Sequence, residues 1–115
     1  NLSYMQDFRP LHGAEKAAVA RACTVLKSQD IIPCTNCRYC VAGCPKNILI
    51  PDLFACLNAR KQYQDWDRDF YYRVTTEGHG KASDCIRCGQ CEHECPQHLE
   101  IRELLKKVAA AFENA

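Results

Sequence analysis

The sequence has no long apolar run, no marked excess of either charge and no glycine-rich loop for a nucleotide. Its 115 residues include 15 lysines and arginines against 14 aspartates and glutamates, so the net charge is +1. Such a balance does not favour nucleic acid or an anionic membrane surface as a partner. The longest apolar runs are only a few residues, which excludes insertion of a helix into a bilayer. Nicotinamide or flavin binding is not encoded either, because no phosphate-cradling glycine loop is present.

The chain is also short for an enzyme. At 115 residues we predict one domain, residues 1–115, with room for a modest core but not for a barrel or a dinucleotide-binding sheet. No nucleophile or acid–base constellation stands out, so we assign no catalytic residue. The start has neither an initiator Met nor the charged and apolar regions of a signal peptide. We therefore expect a piece excised from a larger protein.

The first twelve residues are unusually apolar for a terminus, since termini are ordinarily polar and frayed. Their apolar members are Leu2, Tyr4, Met5, Phe8 and Leu11. Two interpretations are open. This tail either folds back onto the core of its own domain or is a connector from an upstream domain, with residues 13–115 as the helical core.

Cysteine is abundant: there are ten, and eight of them fall in two runs of identical spacing. The pattern C-x2-C-x2-C-x3-C-P occurs at Cys34, Cys37, Cys40 and Cys44 and again at Cys85, Cys88, Cys91 and Cys95. This is the ligand spacing of paired [4Fe–4S] clusters. A disulfide framework would scatter its cysteines between loops, and tetrahedral zinc has no use for the repeated third cysteine. The sequence therefore predicts two [4Fe–4S] clusters and, from the reduced thiolates, a cytoplasmic location.

In such runs the fourth cysteine binds the cluster of the other run. For the first cluster we predict the ligands Cys34, Cys37, Cys40 and Cys95. For the second cluster we predict Cys85, Cys88, Cys91 and Cys44. Crossed ligation holds two clusters close together, and closeness lets an electron pass between them.

The repeat continues beyond the cysteines, because Pro45, Ile48, Ile50 and Leu53 each have a counterpart 51 residues later. The unit is a ligand run, an apolar connector and an amphipathic helix. Hydrophobic spacing predicts helices over 14–28, about 51–62, 65 to about 75, and about 100–113. We predict Cys23 and Cys56 to be core residues, and the stripe of Trp66, Phe70 and Val74 to face the core. The fold class is all-α, with a pseudo-twofold repeat around two clusters.

Residues beside the runs are expected to tune the clusters rather than bind them. Apolar side chains that could screen the clusters from water are Ile32, Val41, Ile48, Ile86, Leu99 and Ile101. Arg38 and Lys46 flank the first run, whereas acids predominate around the second. We therefore hypothesise that the first cluster is the easier one to reduce.

Several stretches make the pattern more specific than the cysteine spacing alone. In the first half they are Phe8-Arg9-Pro10-Leu11, Ile32-Pro33-Cys34, Cys37-Arg38-Tyr39-Cys40, Cys44-Pro45-Lys46-Asn47-Ile48 and Ile50-Pro51. In the second half they are Cys88-Gly89-Gln90-Cys91, Cys95-Pro96-Gln97-His98-Leu99 and Ile101-Arg102-Glu103-Leu104-Leu105. Together they resemble the C-terminal iron–sulfur domain of a subgroup of aldo/keto reductases, a domain with the α-helical ferredoxin fold.

This resemblance implies an upstream (β/α)8 catalytic domain and an external electron carrier, between which the clusters pass single electrons. The chain alone would then be no enzyme but part of an oxidoreductase. Two alternatives stay open. The chain is a stand-alone or subunit-type helical ferredoxin of another complex, or it is a structural iron–sulfur module for protein binding.

Overall fold

The computed structural model describes residues 1–63 and 67–113. Its α-helices are α1 (Leu2–Gln6), α2 (Gly13–Ser28), α3 (Tyr39–Ala42), α4 (Ile50–Tyr63), α5 (Arg68–Thr76), α6 (Gln90–His93) and α7 (Ile101–Phe112), and a 3-10 turn spans Ala82–Asp84. One isolated bridge, between Ile48 and Gly80, is the β pairing found in this part of the chain. The predicted all-α class is confirmed. No helix within the described ranges is long and apolar enough to cross a membrane.

The residues form two compact units, Asn1–Asp30 and Ile31–Ala115. The first contains α1 and α2, and α2 begins at a capping box. The Glu15 N–H donates to His12 Nδ1 at 3.4 Å, and the His12 N–H donates to Glu15 Oε2 at 3.1 Å. Such reciprocal bonds satisfy amide groups that a helix start leaves without partners. The helix predicted over 14–28 is confirmed to within one residue.

The predicted core position of Cys23, in the first unit, is wrong. Cys23 is exposed, Val19 and Leu26 are 53% and 64% exposed, and α2 has no buried residue. The apolar residues of the tail are exposed as well. The helix forms nonetheless because alanine has the highest helix propensity and the capping box supports the first turn. The apolar spacing identified one face of α2, but spacing alone does not show whether another surface covers that face.

The core of the second unit lies where α4 packs against α7. From α4 it takes Leu53, Phe54 and Leu57, and from α7 it takes Ile101, Leu105 and Val108. Each large apolar side chain buried this way stabilises the fold by roughly 1.5–3 kcal/mol relative to exposure. Cys56 is buried as predicted. Both helices match their predicted ranges to within one residue at each end.

Helix α5 turns a different face inward from the one predicted. Phe70 and Val74 are 56% and 50% exposed, whereas Tyr72 is buried, and Trp66 lies outside the described residues. The Tyr72 ring stacks on Phe112 with 4.7 Å between centroids, and its hydroxyl donates to Glu113 and accepts the Ala82 N–H. Both the ring and the hydroxyl of Tyr72 thus have partners inside the fold. That contact with α7 decides which side of α5 is buried.

The pseudo-twofold repeat extends to the backbone. Left-handed φ angles occur at three pairs of positions 51 residues apart, which are Asn36 and Arg87 (56° and 60°), Arg38 and Gly89 (66° and 81°), and Asn47 and His98 (52° and 51°). Non-glycine residues seldom adopt this region. Asn36, Asn47 and His98 are of types that are enriched in this region, whereas Arg38 and Arg87 are not, so the surrounding structure imposes the loop shape at one arginine in each half.

Candidate iron–sulfur sites

Two small cavities lie in the second unit, each lined by residues of both ligand runs. The cysteines of the first cavity are Cys34, Cys37, Cys40 and Cys95. The cysteines of the second cavity are Cys44, Cys85, Cys88 and Cys91. Each cavity thus takes three cysteines from one run and the last cysteine from the other. Cys23 and Cys56 line neither.

Apart from the cysteines, the walls are mainly apolar. The first cavity is lined by Ile50, Pro51, Phe54, Leu99 and Ile101, and the second by Pro45, Ile48, Ile50, Ile86 and Leu105. Ile50, which is 1% exposed, lines both and so forms part of a shared wall. Within residues 1–63 and 67–113, no three His, Cys, Asp or Glu side chains are placed to hold a single metal ion. The thiols line two spaces instead, and thiolates with an apolar shell are the donors that [4Fe–4S] clusters take.

The left-handed residues shape the loops that carry the outermost cysteines. Cys37 lies between Asn36 and Arg38, and Cys88 lies between Arg87 and Gly89. All four neighbours have positive φ, while both cysteines are exposed. Left-handed residues in turns direct successive backbone N–H groups into a concave surface that favours anions, as at many phosphate and iron–sulfur sites. The strained loops of the two halves therefore suit an anionic, sulfur-rich group.

The Cys40 and Cys91 thiols favour their protonated form in the absence of metal, because burial raises the pKa of each. Burial raises the pKa of Cys40 to about 11, and charge on Cys34, Cys37 and Cys95 would raise it further. Burial likewise raises the pKa of Cys91 to about 11, with contributions from Glu92, Cys85 and Cys40. Since thiolates are the ligands, metal binding here must release protons. The influence of Cys40 on the pKa of Cys91 also indicates how near the two sets of thiols lie.

Each half places an ion pair at the start of its long helix. Arg38 Nη1 lies 2.9 Å from Asp52 Oδ2, and Arg87 Nη2 lies 2.7 Å from Glu103 Oε1. Both acids are in the first turn of their helix, where negative charge complements the helix dipole. Both arginines occupy left-handed positions in the preceding ligand run. The two pairs therefore join each run to the helix that follows it.

A further contact occurs in the second half alone. Glu92 accepts the backbone N–H of Arg102 at 2.9 Å and its Nε–H at 3.0 Å. The hydrogen bonds from Arg102 lower the pKa of the Glu92 carboxyl. In the first half the corresponding residues are Val41 and Pro51, which cannot make these bonds because proline has no N–H. Residues ten apart carry no local sequence signal, so sequence reasoning missed this contact.

In the first half, the residues after the ligand run are instead held by a residue of the segment between the two runs. Gly80 forms the bridge with Ile48 and donates its N–H to Asn47 O at 3.2 Å. A Cβ atom at Gly80 would lie 2.2 Å from Lys46 O, so only glycine fits this approach. The contact positions Lys46 and Ile48, which line the second cavity.

The position of Lys46 overturns the premise of the predicted redox order. It follows the first run in sequence but lines the second cavity, as Pro45 does. Arg102 also lines the second cavity, and the charge of Arg38 beside the first is paired with Asp52. Among the described residues, the positive charge that lines a cavity without an ion-pair partner is therefore that of Lys46, on the second cavity.

Comparison with known protein families gives one result that bears on these cavities. A family model described as a 4Fe-4S dicluster domain matches residues 33–100, more than half of the chain, including all eight cysteines of the two runs. No curated protein and no solved structure matches the chain.

Proposed function

The chain belongs to the 4Fe-4S dicluster domain family, and from that premise we propose that it transfers electrons through two [4Fe–4S] clusters. The observation that carries this proposal is the pair of cavities, each lined by four cysteines drawn from both ligand runs. A bound [4Fe–4S] cluster accepts and returns one electron at a potential set by its surroundings.

The cysteines are proposed to bind as their cavities group them. Cys34, Cys37, Cys40 and Cys95 would hold the first cluster, and Cys85, Cys88, Cys91 and Cys44 the second. Because each run contributes to both cavities, neither site can move away from the other without losing a ligand. Ile50, buried in the shared wall, keeps water out of the space between them.

We further propose that the chain is the redox domain of a larger oxidoreductase of the aldo/keto reductase type, exchanging electrons with a catalytic barrel and an external carrier. Two things support this: the resemblance of the stretches around the runs, and the apolar residues that Asn1–Asp30 leave exposed. Leu2 and Tyr4 are 86% and 81% exposed. Exposed apolar side chains of this density are typical of surfaces that another domain covers.

Anaerobic reconstitution followed by iron and sulfide analysis tests the cofactor assignment. We expect about eight irons and eight acid-labile sulfides per chain, as two cubanes require. The variant Cys23→Ser is the control, since Cys23 lines neither cavity and should leave the iron content unchanged. A chain that retained zinc, or that oxidised its thiols in pairs and took up no iron, would contradict the proposal.

A further inference from the structure

The two cavities can be compared position by position, because residues 51 apart occupy equivalent places in them. Each such pair has one member lining the first cavity and the other lining the second, as do Cys95 and Cys44, Leu99 and Ile48, and Pro51 and Arg102. The same rule pairs Lys46, on the second cavity, with Gln97, on the first. Both side chains are exposed. The sites therefore differ by a full positive charge at one equivalent position.

The other charges beside the cavities are largely compensated. Arg38, on the first cavity, is paired with Asp52, and Arg102, on the second, lies 2.8 Å from Glu92 Oε2. By contrast, Lys46 makes no ion pair in the portion of the chain that the structure describes. A positive charge near a cluster favours the reduced form, which carries one more negative charge. Lys46 should thus favour electron occupancy of the second site.

Solvent exposure acts in the same direction. Of the first set of cysteines, Cys40 and Cys95 are buried, at 8% and 9% exposure. In the second set Cys88 is exposed and the other three are half-buried. Water stabilises added charge, so exposure also raises a reduction potential. The positive charge and the greater exposure to solvent are therefore both expected to raise the reduction potential of the second cluster.

We propose that Lys46 raises the reduction potential of the second cluster above that of the first, so that an electron shared by the two resides mainly on the second. This inference rests on the proposed function, since it requires both clusters. It makes Lys46 a positioning residue for the electron rather than a ligand. One electron moves from the first site to the second with no bond made or broken.

A charge swap between the equivalent positions tests this. The variants are Lys46→Gln, Gln97→Lys and the double variant, each titrated potentiometrically and followed by electron paramagnetic resonance. Lys46→Gln should reduce the equilibrium constant for reducing the second cluster about tenfold, a shift of about 59 mV for one electron. Gln97→Lys should raise that of the first cluster similarly, and the double variant should narrow or reverse the order.

The matched control is Lys107→Gln, which removes the same charge from an exposed residue that lines neither cavity. It should move both potentials less than Lys46→Gln moves the second. Because Lys46 is exposed, its effect should also shrink as added salt shortens the Debye length from about 30 to about 3 Å.

The outcomes separate this inference from the function on which it rests. Iron content below two clusters would defeat the proposed function itself. If two clusters form and Lys46→Gln leaves the second potential unchanged, or lowers only the first, the inference is overturned while the function stands. Should Lys46→Gln fail to take up iron, the result from Gln97→Lys decides: no rise in the first potential overturns the inference.

Discussion

The two halves of the repeat share their ligand spacing and the left-handed positions of their backbone, yet different contacts fix the residues that follow each ligand run. In the first half the connector is fixed by a backbone contact from outside the repeat, at Gly80. In the second half the carboxylate of Glu92, within the repeat, instead fixes Arg102 at the start of the helix that follows the connector. The loops that carry the cysteines thus have the same conformation in both halves, while the contacts that hold the following residues differ. We expect those differences to give the two proposed sites different stabilities and reduction potentials.

The largest effect should come from breaking the contact of the first half. Gly80→Ala places a Cβ against Lys46 O, and overpacking against backbone costs typically 1–3 kcal/mol. Because the displaced connector lines the second cavity, that cluster should be lost in preference to the first. Chemical denaturation and iron analysis measure the two effects. Gly13→Ala, where an added Cβ meets nothing within 4 Å, should change stability by no more than about 0.5 kcal/mol.

The corresponding break in the second half is Glu92→Ala. It leaves the Arg102 N–H without its acceptor, and we expect a loss of about 1–2 kcal/mol. Denaturation of Glu94→Ala is the control, since Glu94 is an exposed acid whose contact is with His93 at the surface. Equal losses from the two variants would mean that the Glu92 contact does not hold the second half together.

The same carboxylate gives the second half a dependence on pH. Hydrogen bonds from Arg102 lower the pKa of Glu92 in the folded chain below its ordinary value of 4.5. The stability that the Glu92 carboxylate contributes to the folded chain is therefore fully present above pH 4.5. It is lost as the pH falls through the lowered pKa of the folded state. Glu92→Gln keeps an acceptor oxygen but cannot titrate, so its unfolding free energy should fall less steeply with acid than that of the unaltered chain. Parallel slopes would contradict the assignment.

Much of this arrangement could be predicted from the sequence because it is repeated and local. The cysteine spacing, the 51-residue offset and the bounds of α2, α4 and α7 depend on patterns within a few turns of chain. Burial of α5 could not be predicted, since aromatic residues occupy both its faces and only the contact of Tyr72 with Phe112 selects one. The predicted core position of Cys23 on α2 was wrong for another reason: apolar spacing along a helix does not show whether another surface covers that face.

The error over Lys46 is of another kind, since it could have been avoided from the sequence. If Cys44 crosses to the second site, the residues directly after it must cross as well. Assigning Lys46 to the first run was therefore inconsistent with crossed ligation. Applied to Cys95, the same reasoning takes Gln97 to the first cavity, where the structure has it.

The smallest effects should come from the ion pairs that the halves share. Asp52→Asn and Glu103→Gln each remove one partner of an exposed pair, and such pairs contribute about 0–1 kcal/mol. Denaturation should show losses that are small and similar in the two halves. A loss of unfolding free energy above that range in only one half would contradict the expectation that the two ion pairs have equivalent, minor roles.

Crossed ligation is the central claim, and the matched variants Cys44→Ser and Cys95→Ser test it most directly by electron paramagnetic resonance after anaerobic reconstitution. We predict that Cys44→Ser perturbs the cluster held by Cys85, Cys88 and Cys91 and spares the one beside Cys34, and that Cys95→Ser does the reverse. Damage confined in each variant to the cluster of its own run would contradict the account.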